Sequence, residues 1–145
     1  MNTILIALDF SEFSAEVETR GYALAERIGS SVILVSITPV HTEYARPDTG
    51  EVFVDDPEAG QRETKIRLEK ISRAHPAVPT EIISVAGDPK KGIVEIIARQ
   101  DPAFVVVGTH GRTGLSHLLL GSVAEYVIRH SHVPVLVIPY RTDKH

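Results

Sequence analysis

A chain of 145 residues with 43% hydrophobic and 23% charged residues has the size and balance of one folded domain, residues 1–145, and not those of a disordered or low-complexity segment. Its net charge of −4 and pI near 5.9 argue against the basic footprint of a nucleic-acid binder, and the absence of cysteine excludes disulfides, thiolate nucleophiles and cysteine-held metal clusters. No run approaches the roughly 18 apolar residues of a membrane helix, and Met1 leads through Asn2 and Thr3 straight into a short apolar run; neither a signal peptide nor an anchor is expected, and a reducing cytoplasm is the expected location.

The first apolar run, ILIAL at 4–8, has strand length and ends at Asp9. From Ser11 to Gly29 the positions Phe13, Val17, Leu24 and Ile28 fit one face of a helix, with Ser11 as N-cap and Gly29 as the stop. VILVSI at 32–37 is the second strand. Residues 39–57 form the one long irregular stretch, and loops longer than about 12–15 residues tend to be functional or mobile. Two readings of it stand, a lid over a ligand or an exposed insertion, and its Glu51, Asp55, Asp56 and Glu58 read as a solvated charge patch. Glu58 to Ala74 is helical in pattern, with Ile66, Leu68 and Ile71 apolar, and Thr80–Val85 is a weaker strand. Asp88–Pro89, a cap followed by proline in the first turn, opens a helix through Ile93, Ile96 and Ile97. FVVV at 104–107, a helix over Ser122–His130 and VLVI at 135–138 complete the series.

The apolar runs are continuous, as in strands covered by helices on both faces. Their order, βαβαβαβαβ, predicts a doubly wound α/β fold with a five-stranded parallel sheet and right-handed crossovers. The last strand should lie at an edge, exposed and apolar unless a second subunit covers it, so a homodimer is expected. Pro134 and Pro139 bracket that strand and limit open-ended extension.

Between the fourth strand and the last helix, Gly108, Gly111, Gly121 and Ser122 follow the spacing G-x2-G-x9-G-S. Glycine lets backbone approach an anion closely, and the N–H groups at Gly121–Ser122 are expected to be free donors at the positive end of a helix, which together build a phosphate cradle. Walker A is absent, as is G-x-G-x-x-G after the first strand, so phosphate would be held without a P-loop lysine. Arg112 either contacts phosphate or is simply solvated, and any Mg²⁺ would be held chiefly by phosphate oxygens and water.

In doubly wound sheets ligands bind beyond the carboxyl ends of the strands, where strand order reverses. There Asp9 can accept from ribose hydroxyls or cap the first helix, and the backbone at Ile37 can meet an adenine edge. The histidines, including His110, His117, His130 and His132, lack metal-ligand spacing, and no G-x-S-x-G elbow is present.

DFSEFS after the first strand, GDP before the third helix, GTHGRTG, LGSVAE and the final VPVLVIP together resemble the universal stress protein family across the whole chain. That resemblance implies a Rossmann-like fold of the adenine nucleotide alpha hydrolase type, and all four glycine-motif positions match the branch that binds ATP. By position it implies ribose at Asp9, adenine at the backbone of Ile37, and phosphates at Gly108, Gly111, Gly121 and Ser122, with Ala7, Leu8, Arg112 and Val123 adjacent. It further implies a role in stress responses and pairing through the last strand. Three functions follow as expectations: an ATP-dependent regulatory protein, a slow ATPase or nucleotide hydrolase, and an interaction module with a vestigial site. No base, nucleophile or metal carboxylate stands out to support the second.

Overall fold

The computed structural model describes residues 2–40, 44–45, 50, 52–53, 56–109 and 120–140. In chain order the elements are β1 (Thr3–Ala7), α1 (Ser14–Ile28), β2 (Ser31–Thr38), β3 (Tyr44–Ala45), β4 (Val52–Phe53), α2 (Pro57–Ala74), β5 (Thr80–Ala86), α3 (Pro89–Gln100), β6 (Phe104–Gly108), α4 (Ser122–His130) and β7 (Val135–Ile138). Five of the strands form one sheet in the order β5-β2-β1-β6-β7, every pair parallel, so β5 and β7 are its edges. The chain moves outward from β1 on one side and returns to the other side through β6. That reversal places the switch point between β1 and β6.

Successive strand residues point to opposite faces, which explains why the apolar runs are unbroken. Ile4 and Ile6 of β1, with Val32 and Leu34 of β2 and Val106 of β6, pack against Val17, Tyr22 and Ala25 of α1 and Leu68 of α2. Leu5, Ile33, Val35, Val105 and Val107 pack on the other face against Ile93, Ile96 and Ile97 of α3 and Ala124 and Val127 of α4. The sheet is thus covered on both faces.

Helix ends follow local chemistry. Asp88 and Asp56 cap α3 and α2 by accepting the N–H groups of Lys90 and Glu58 at 2.9 and 3.0 Å. Gly29 ends α1 in the left-handed region, φ 68°, where a Cβ would be strained.

Three expectations need correction. Helix α1 begins at Ser14, not after a cap at Ser11, because the Ser11 carbonyl accepts the Ser14 N–H and its hydroxyl accepts the Phe13 N–H in a preceding turn. The anchoring face of α1 includes Gly21, Tyr22 and Ala25, whereas Ile28 is 49% exposed; on α2, Ile66 is likewise 64% exposed. Residues 39–57 are not wholly irregular, since Tyr44–Ala45 and Val52–Phe53 pair as an antiparallel hairpin and α2 already starts at Pro57.

Candidate functional site

Three strand ends of unequal length create the site. The β1–β2 ladder ends at the pair Ala7 and Val35, and the Leu8 N–H donates a last bond to the Val35 carbonyl at 2.9 Å. Strand β2 runs on to Thr38, whose carbonyl accepts the Gly87 N–H from the β5 side. On the other flank Ile6 pairs with Val106, and β6 continues to Gly108 with β7 beside it. A notch therefore opens above the end of β1, at the switch point.

This stagger determines where backbone groups face. In a parallel ladder, neighbouring residues direct their N–H and C=O groups alternately to the two sides. Val35 bonds toward β1 and Thr38 toward β5, so Ile37 directs its N–H and C=O toward β1, past that ladder's last bond. Its side chain is buried on the α3 face, close enough to Gly92 that a Cβ added there would lie 2.5 Å from Ile37 Cδ1. The backbone of Ile37 thus turns toward the notch, while its side chain packs on the α3 face.

On the β1 side, Phe10 takes a left-handed backbone, φ 58°, and reverses the chain, with the guanidinium of Arg67 4.2 Å above its ring. The reversal brings Asp9 back over the start of α1. Its Oδ1 accepts the Ser11 N–H and the Ser14 hydroxyl, each at 2.9 Å. The helix cap expected of this aspartate is not seen among the described residues; the two bonds instead hold the carboxylate within the turn that precedes α1.

Opposite Asp9 stands the start of α4. Gly121 adopts an extended conformation, and among the described residues no side chain caps the helix. The Gly121 N–H is not the free donor expected from the motif, because it donates to the Thr109 carbonyl at 2.7 Å. The open donors lie one residue further on: among the described residues nothing accepts from the amides of Ser122, Val123 and Ala124, the first turn of a helix whose dipole is positive there.

These groups share one cavity of about 220 Å³. Ala7, Leu8 and Asp9 line it from β1 and the turn after it, Ile37 from β2, Gly108 from β6, and Gly121, Ser122 and Val123 from α4. Gly111 and Arg112 lie outside the described residues, as do His110 and His117. Val17, Ile93 and Val107 supply apolar wall, while no lysine or arginine among the described residues lines the cavity. Phe13, Ser14 and Pro39 also line it and were missed in the sequence. The serine has a signal in retrospect, a hydroxyl at the first position of α1, five residues beyond the aspartate that it bonds.

The remaining polar candidates lie elsewhere. His132 Nε2 is 2.8 Å from Asp101 Oδ1, and the His130 ring rests against Tyr126, centroids 4.2 Å apart. Asp56 is a helix cap, and Glu58 is 3.9 Å from Arg62. No group of three or more histidine or acidic side chains able to hold a metal occurs among the described residues, nor does a helix long and apolar enough to cross a membrane.

A parallel sheet wound on both faces, with a crevice at its switch point, places the molecule in the Rossmann-like α/β class. The family model of the universal stress protein family matches residues 1–139, and the chain belongs to that family. Universal stress protein MJ0531 of Methanocaldococcus jannaschii is 31% identical over 138 residues, covering 93% of this chain and 80% of that protein. Among solved structures, MJ0577 of the same organism superposes with a TM-score of 0.76 at 25% identity, over 98% of each chain. The universal stress protein of Archaeoglobus fulgidus in complex with dAMP shares the fold, with a TM-score of 0.66 at 21% identity over 95% of this chain and 98% of that one.

Proposed function

We propose that this protein binds ATP in the notch above β1 and acts as a nucleotide-dependent regulator in the stress response, working as a homodimer in the cytoplasm. One observation carries the reading: a fixed carboxylate at Asp9, the outward backbone of Ile37 and the open amides of α4 converge on a single cavity. Each offers what a different part of the nucleotide lacks. The carboxylate suits ribose hydroxyls, a backbone donor and acceptor pair suits the adenine edge, and helix amides suit phosphate oxygens. The dAMP held by the Archaeoglobus relative supports an adenine nucleotide as the ligand class.

With no cation lining the cavity among the described residues, the phosphates rest on amides, and Mg²⁺ rides on phosphate oxygens and water. Gly111 and Arg112 belong to the same cradle in this proposal. Among the described residues that line the cavity none is placed to break a phosphate bond, which favours regulation over turnover. Dimerisation would proceed through β7, an edge strand on which Leu136 is 40% exposed.

Calorimetry with ATP, ADP and AMP on the purified protein and on Gly121→Asp tests the site. The Gly121 backbone, φ −62° and ψ 155°, accepts any residue, and an aspartate there is a favoured N-cap. The variant should therefore fold while its carboxylate occupies the α4 amides and repels phosphate, and ATP binding should be lost. ATP binding at wild-type strength by the folded variant contradicts the assignment. Sedimentation at micromolar concentration should give the mass of a dimer, and a monomer mass removes the pairing.

A further inference from the structure

Thr109, the residue after β6, makes hydrogen bonds to three different places among the described residues. Its N–H donates to the Ile138 carbonyl at the end of β7 at 3.0 Å, and its carbonyl accepts the Gly121 N–H at 2.7 Å. Its hydroxyl Oγ1 accepts the Tyr140 N–H at 3.2 Å. The second bond ties Gly121, at the start of α4, to the residue that follows β6. The first and third fasten that residue to β7 and to the segment that follows it.

The circuit continues across the site. The Tyr140 ring meets the Phe13 ring edge-on, centroids 4.3 Å apart at 72°, and Phe13 lines the cavity from the turn that also carries Asp9. From Gly121 through Thr109 and Tyr140 to Phe13, a chain of direct contacts joins the two sides of the notch behind the ligand space. One side carries the open amides of α4 and the other the carboxylate.

We propose that Thr109 is a positioning residue, which sets the distance between the phosphate-facing amides of α4 and the Asp9 turn by latching both to the end of β7. This rests on the nucleotide reading above for its ligand, and on the hydrogen bonds alone for the latch. A hydroxyl is needed because a residue without a side-chain acceptor keeps both backbone bonds and loses the link to Tyr140. The consequence is selective. Loosening the latch changes the spacing between the two sides of the notch, so ATP, which spans both, is affected more than adenosine, which meets Ile37 and Asp9 without reaching the α4 amides.

The test compares wild type, Thr109→Val and Thr109→Ser in calorimetry with ATP and with adenosine, and in amide hydrogen exchange without ligand. Thr109→Val should weaken ATP about fivefold, the scale of one hydrogen bond, and leave adenosine within about twofold. Thr109→Ser should restore ATP affinity. Exchange should quicken in Thr109→Val at the Tyr140 amide and also at Gly121, whose bond is to the retained carbonyl, so joint loosening reports the coupling. Equal losses of ATP and adenosine, no rescue by serine, or unchanged exchange at Gly121 would overturn the proposal. If wild type binds neither ligand, the nucleotide reading fails, and exchange alone decides the latch: joint acceleration supports it and unchanged Gly121 exchange overturns it.

Discussion

The two ends of the parallel sheet use polar groups in opposite ways. At the end where the strands begin, Tyr22 is 2% exposed with its hydroxyl 3.0 Å from Thr80 Oγ1, its ring stacked on His75 at 3.9 Å, and the His75 Nε2 2.8 Å from Glu18. Thr3 and Ser31 likewise bond to each other across the first rungs of β1 and β2. At the end where the strands finish, the α4 amides and the Ile37 backbone face a cavity. Polar groups satisfied internally hold the fold together, and those left facing a crevice are available to a ligand. On the proposed reading, the same sheet separates stability from binding by direction.

The largest expected effect breaks the first end and spares the second. Tyr22→Ala removes a buried ring and should cost about 3–5 kcal/mol, read as a lower urea midpoint. ATP affinity of the folded variant should stay within about twofold, because the substitution lies at the far end of the strands from the notch. Loss of binding without loss of stability would erase the distinction.

A smaller effect concerns pH. Burial, reinforced by the nearby Glu18 charge and opposed by the Thr80 hydrogen bond, raises the Tyr22 pKa above its ordinary 10.0. The unfolded chain therefore ionises this phenol first as pH rises. Stability from this group is fully present below pH 10.0 and falls as pH climbs from there through the raised folded value. Chemical unfolding at stepped alkaline pH should show that decline, and Tyr22→Phe should flatten it. An identical decline in the phenylalanine variant would assign it to other groups.

How much of this was legible depends on the range of the interaction. The five sheet strands were readable because burial on both faces leaves unbroken apolar runs, and Asp88–Pro89 and Gly29 marked helix ends by chemistry internal to a few residues. The face of α1 was legible at Phe13 and Val17 but not beyond, because its further contacts include the small residues Gly21 and Ala25, which carry little hydrophobic signal in a pattern. Gly21 lies so close to β1 that a Cβ would come within 2.7 Å of Ile6 Cδ1. The hairpin of β3 and β4 escaped because two-residue strands are shorter than any period.

The site divides along the same line. The motif spacing located the start of α4, and Asp9 and Ile37 were legible as strand ends. Which amide stays open was not, since the Gly121 N–H is taken by Thr109, a partner whose position depends on the fold. The outward turn of the Ile37 backbone likewise comes from β1 stopping short of β2, a register that single strands do not reveal.

Titration of the isotope-labelled protein with ATP, followed through its amide NMR signals, tests the separation most directly. The account predicts that the amides of Ile37, Ser122, Val123 and Ala124 shift on binding, while those of Tyr22, His75 and Thr80 stay in place. Shifts concentrated at Tyr22, His75 and Thr80, or none at the first turn of α4, would contradict it.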